Sequence, residues 1–191
     1  MLDFSKAPDA QVFNLIPPDT FARLSMVVKP AENGWLKKSK SRDTEYMECE
    51  FTVIGGEFDK RRLWQYFVLA GGSVNDLGES IAANISRGTL KAILNSAHGI
   101  LPADQSERAQ KARMIDDYSD FTGMEFAAKI GIEKGKDGHP DRNKIMQIIT
   151  PDNPAYLKVM SGTTSQQGPT QTASTAPTNG KNVTPAWAIR K

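Results

Sequence analysis

Cysteine is almost absent from this chain: Cys49 stands alone among 191 residues. No internal disulfide can form, so packing must hold the fold, and a reducing compartment suits it. Histidine occurs only as His98 and His139, and neither these nor Cys49 show metal-ligand spacing. Uninterrupted apolar runs are missing too, and no stretch suits a bilayer crossing. Residues 1–6 lack the basic-then-apolar layout of a secretory leader. Net charge is scarce as well. Lys and Arg number 24 against 22 Asp and Glu, a balance of +2. Three of those cations, Lys181, Arg190 and Lys191, lie beyond Met160, which leaves the preceding body one charge negative. Bulk charge therefore cannot attract a polyanion; only local clustering can.

Catalytic patterns are equally thin. Asp116, Asp117 and Asp120 gather carboxylates without an accompanying Lys, His or second acidic motif. Gly55-Gly56 and Gly71-Gly72 lack the lysine that follows a phosphate-cradling loop. His139, between Gly138 and Pro140, reads as a turn residue, and Cys49 alternates inward as a small core residue. The expectation is a protein without catalytic residues, cofactor or metal.

What is present is periodicity. After an arm over residues 1–19, Ala22, Leu24, Met26 and Val28 alternate along a first strand at 20–29. Residues 30–42 form a polar loop. A second strand over 46–54 sends Met47, Cys49, Phe51 and Val53 one way. A third, over 61–69, separates Arg62, Trp64, Tyr66 and Val68 from Leu63, Gln65, Phe67 and Leu69. The period then changes. Ile81, Ile85, Leu90, Ile93, Leu94 and Ala97 predict a helix over 80–97, with Gly99 as its cap. A polar helix is expected over 104–117, a fourth strand over 125–133 with Phe126, Ala128, Ile130 and Ile132 inward, and a fifth over 143–150. Tyr156 to Met160 suggest a closing helical turn. From Ser161 the chain is Ser, Thr, Gln, Gly, Pro, Ala and Asn, the composition of a flexible tail, tipped by Pro185-Ala186-Trp187-Ala188-Ile189.

Three strands, a long helix and two more strands are the order of a five-stranded Greek-key barrel of the OB type. Such barrels grip oligonucleotides with their first and last inter-strand loops. Both loops are basic here. The first holds Lys37, Lys38, Lys40 and Arg42 around Trp35, just after Lys29; the last region holds Lys129, Lys134, Lys136, Arg142 and Lys144. Phosphates need cations and unpaired bases need flat partners, and stacking a base on an aromatic ring is worth about 1–3 kcal/mol. On the third strand Arg62, Trp64 and Tyr66 share a face, with Arg61 beside them, and Tyr46 on the second strand can join it. The competing reading is structural: a solvated loop, Trp35 folded back on the barrel, and Trp64 and Tyr66 covered by the arm or the helix.

Two segments carry a resemblance. Residues 50–64, Glu-Phe-Thr-Val-Ile-Gly-Gly-Glu-Phe-Asp-Lys-Arg-Arg-Leu-Trp, and 121–134, Phe-Thr-Gly-Met-Glu-Phe-Ala-Ala-Lys-Ile-Gly-Ile-Glu-Lys, with the following Pro140-Asp141-Arg142-Asn143-Lys144, resemble a family of small bacteriophage proteins. The resemblance spans residues 20–160. It implies an OB-fold single-stranded DNA-binding protein serving phage replication and recombination in the host bacterial cytoplasm. It further implies that Arg61, Arg62, Trp64, Lys129, Lys134, Arg142 and Lys144 lie along the strand-binding groove. One departure stands out. Many single-strand binders end in an acidic tip that recruits replication or recombination enzymes, whereas this tip is apolar and basic. Trp187 and Ile189 are thus candidates for docking on a partner protein. The expected activity is sequence-independent binding of single-stranded DNA, and the rival is an OB adaptor that binds a protein through its tail tip.

Overall fold

A computed structural model describes residue 6 and residues 14–136 and 138–162. The tail and its tip, including Trp187 and Ile189, lie outside the described residues, as does most of the arm.

The alternating segments pair as one antiparallel sheet. Its strands are β1 (Thr20–Val28), β2 (Leu36–Lys38), β3 (Thr44–Ile54), β4 (Arg62–Gly71), β5 (Glu125–Glu133) and β6 (Arg142–Ile149). β3 is the longest and takes partners on both edges. β4 runs along one; β1 and then β2 share the other, with Val28 opposite Cys49 and Leu36 opposite Met47. β1 also pairs with β5, and β5 with β6. Among the described residues six strands thus replace the five expected, because residues 36–38 of the supposed loop form β2, a short continuation of β1 along the same edge of β3. Among the described residues no hydrogen-bonded ladder joins β4 to β6. The sheet is therefore open along the seam where a barrel would close.

Side-chain alternation places the core. Leu24, Met26, Met47, Cys49, Phe51 and Phe126 are fully buried, and Phe51 meets Phe67 and Phe126 edge-on at 6.4 and 5.9 Å. The helix α1 (Ile81–His98) packs across β4, β5 and β6. The Ser80 hydroxyl caps its first turn by accepting from the Ala83 N–H, and Gly99 ends it in the left-handed conformation at φ 65°. Its buried stripe runs through Ala83, Ser86, Leu90, Ile93 and Leu94. Ile81 and Ile85, predicted on that stripe, are out of phase with it and exposed.

Three further expectations need correction. The helix over 104–117 shrinks to α2 (Glu107–Lys111), since Ala109 alone in it is buried and no apolar stripe exists to extend it. A 3₁₀ turn at Tyr118–Phe121 follows, closed by Asp117 and Asp120 as a reciprocal capping pair. Ile132 is only half-buried, whereas Ala127, on the opposite face of β5, is sealed. The seal is α3 (Tyr156–Met160), which covers Ala127 and Ile149 with Tyr156 and Val159. Finally, the assigned arm is not all peripheral. Ile16 is 1% exposed in the main core, and its backbone N–H and C=O both bond the Asn143 carboxamide on β6, each at 2.8 Å.

Candidate nucleic-acid interface

Because Met47, Cys49, Phe51 and Leu63 point inward, the alternate residues of β3 and β4 must point out. On β3 these are Tyr46, Glu48, Glu50 and Thr52; on β4 they are Arg62, Trp64, Tyr66 and Val68. Register sets Glu50 opposite Trp64 and Glu48 opposite Tyr66. Trp64 and Tyr66 are each 56% exposed, so among the described residues neither 14–19 of the arm nor the helix covers them. Tyr46 meets Tyr66 edge-on with centroids 5.6 Å apart.

The open seam lies beside these rings. A cleft of about 630 Å³ runs between β4, α1 and β6, lined by Trp64, Tyr66, Ile85, Arg142, Lys144 and Met146 among others. A β-bulge near Lys129 in the β5–β6 ladder shifts the register, and Met146 there is exposed. Gln65, which also lines the cleft, has its carboxamide oxygen buried without a hydrogen-bond partner among the described residues.

Charges on this surface are organised around carboxylates. Glu50 lies between Lys29 at 2.6 Å and Arg62 at 3.3 Å. The Lys29 hydrogen bond holds the Glu50 carboxyl below its usual range, against the opposing effect of burial, with further help from the charges of Lys29 and Arg62 and from the Trp64 indole. Glu133 lies between Lys144 at 2.7 Å and Arg142, whose Nε donates at 2.7 Å. Those two hydrogen bonds, Lys144 first, likewise lower its pKa. Lys37 pairs with Glu48, whose hydrogen bond raises the lysine pKa. Five cations therefore share three carboxylates, and the surface is locally positive although the body is not.

The remaining sequence candidates are dispersed. Lys38 contacts Glu45 at 3.5 Å, while Lys40 and Arg42 are exposed without an ion pair among the described residues. Trp35 is partly buried against the core and lines a separate shallow cleft with Ile115, Asp116, Asp117 and Tyr118. It has folded back rather than joined Trp64. Arg61 reaches the Asn14 carbonyl at 2.7 Å. Lys129 pairs with Asp19 and lies over the Phe21 ring; Lys134 pairs with Asp141; Lys136 is exposed. The two basic connections leave opposite ends of β1: Lys29 follows Val28, whereas the β5–β6 hairpin extends past Thr20. The surface that comes together runs across the strands, from β2 over β3 and β4 to β6, rather than from loop to loop.

Glu50 and the cleft residue Met146 escaped the sequence reading as site residues, and Ile85 stands in the cleft rather than on the buried helix stripe. Alternation put Glu50 on the aromatic face, but its place opposite Trp64 depends on the strand register. Groups with possible catalytic meaning have structural roles. Asp120 accepts the Asp116 and Asp117 N–H groups, Asp117 accepts that of Ser119, and burial pushes the Cys49 thiol up to about 12. Among the described residues no three His, Cys, Asp or Glu side chains group to hold a metal, and no helix is long and apolar enough to cross a membrane. Comparison of the chain with protein-family models and with curated proteins finds no significant match in either.

Proposed function

We propose that this protein is a non-enzymatic, largely sequence-independent binder of single-stranded DNA, built as an OB-type barrel that is open at one seam. One observation carries the reading: two large rings, Trp64 and Tyr66, stand exposed beside a cleft whose far wall bears Arg142 and Lys144. A large ring more than half exposed on a β-sheet face gives folding only the smaller part of its area, and stacking an unpaired base gives the rest a partner. Arg142 and Lys144 take the phosphates of the bases so stacked. Arg62, Lys29 and Lys37 extend the cationic border. The strand order with its helix between β4 and β5 supports the OB assignment, β2 being a continuation of the first barrel strand. The resemblance to phage single-strand binders supports a role in phage DNA replication or recombination, in the host cytoplasm.

The test is a fluorescence titration of the whole chain with oligo-dT and with duplex DNA at two salt concentrations. With about five phosphates neutralised, log affinity falls against log salt with a slope of roughly −3.5, about 0.7 per phosphate for single strands. Single-strand affinity no greater than duplex affinity removes the proposal.

A further inference from the structure

Glu133 and Glu50 each sit between two cations, and in both cases those cations border the exposed rings. A carboxylate so placed occupies, in charge and hydrogen bonding, the position that a phosphate oxygen would take. Glu133 is the cleaner case. Its Oε1 accepts from Lys144 and its Oε2 accepts from Arg142, so both oxygens are engaged across the β5–β6 hairpin. All three residues line the seam cleft. Its side chain is one-third exposed, within reach of a ligand in the cleft.

We propose that Glu133 is a resident counter-anion of the binding surface: it holds Arg142 and Lys144 in place but competes with the strand's phosphates for them. This inference rests on the single-strand reading above. It gives the surface a built-in limit on affinity. An incoming phosphate must either pull one cation away from Glu133 or approach within range of a like charge. Since the carboxylate already neutralises part of the cation pair, fewer condensed counterions are released on binding, and the salt dependence is shallower than the cation number implies. The opposite role, a carboxylate that only orients Arg142 and Lys144 for phosphate, predicts the opposite sign on removal.

Glu133→Gln keeps the shape and removes the charge. The variant and the wild-type chain are titrated with oligo-dT at two salt concentrations, and an Arg142→Gln, Glu133→Gln double variant is measured alongside. Glu133→Gln is expected to bind about three- to tenfold more tightly at low salt. Its slope steepens by about 0.7, one further phosphate. The double variant loses that gain, because one of the freed cations is gone. If wild type binds and Glu133→Gln binds equally or more weakly in a folded state, Glu133 is an orienting residue and this inference falls alone. If neither chain binds single strands at any salt, the inference falls together with the function it rests on.

Discussion

Trp64→Ala separates stacking from charge, because the indole carries no charge of its own. The ring is 56% exposed, so less than half of a side chain offering about 250 Å² is buried. That is roughly 110 Å², at most about 2.7 kcal/mol at ~25 cal/mol per Å², and alanine retains part of it. A domain of ordinary stability, about 5–15 kcal/mol, remains folded after such a loss. Binding should suffer differently. Removing one stacked base partner costs about 1–3 kcal/mol, which lowers oligo-dT affinity roughly 5- to 150-fold. The salt slope should stay as it was, since Arg142, Lys144, Lys29 and Arg62 are untouched. Fluorescence anisotropy of a labelled oligonucleotide at two salt concentrations, with circular dichroism as the folding control, gives both quantities. Wild-type affinity in a folded variant removes Trp64 from the site. A slope that flattens by a whole phosphate refutes the separation itself, and would mean that the ring acts by holding Glu50 and its two cations in position.

Two further expectations concern the scaffold. Ser96 is fully buried, its hydroxyl donating to the Ile149 carbonyl at 2.7 Å while accepting the Ala127 N–H at 3.0 Å. Ser96→Ala orphans both backbone groups and should cost about 2–4 kcal/mol in urea unfolding; a loss under about 1 kcal/mol would mean that the helix and sheet are not joined there. Cys49 is buried with its thiol pushed up to about 12 by desolvation first and by Glu48 second. It should resist thiol reagents at pH 8 until the chain is denatured, and rapid native labelling would contradict its placement. The unfolded thiol ionises near its ordinary value of 9.0 while the folded one holds its proton. This contribution to stability is therefore complete below about pH 9 and is lost as pH rises toward 12. Cys49→Ala should lose stability less steeply across that window in denaturant titrations.

Most strands could be read from the chain because a two-residue period is a local property. Leu24, Met26 and Val28, or Cys49, Phe51 and Val53, reveal a buried face without reference to any partner. The stretch at 36–38 could not be read so. Leu36-Lys37-Lys38 is a strand because β3 outruns β1 and offers an unpaired edge, a fact about its neighbour. The helix over 104–117 failed for the complementary reason. Polar residues there tolerate a helix, but with only Ala109 to bury, nothing stabilises more than one or two turns. Arg113 instead turns back to bond Asn95 and the carbonyls of Leu101 and Asp104.

Sequence alone determined that Arg62, Trp64 and Tyr66 share one face of a strand, since successive side chains on an extended backbone alternate by geometry. It also determined that any affinity for polyanions must be local, because the body's charges cancel. Tertiary structure decided which cations stand beside those rings. Lys144 and Arg142 lie some 80 residues beyond Trp64 and reach it only because α1 carries the chain back across the sheet and leaves a seam between β4 and β6. It decided as well that Trp35 turns onto the core and that Glu50 and Glu133 sit between paired cations. Strand register and packing, not local pattern, bring these contacts about, even the one that crosses a single hairpin from Glu133 to Arg142.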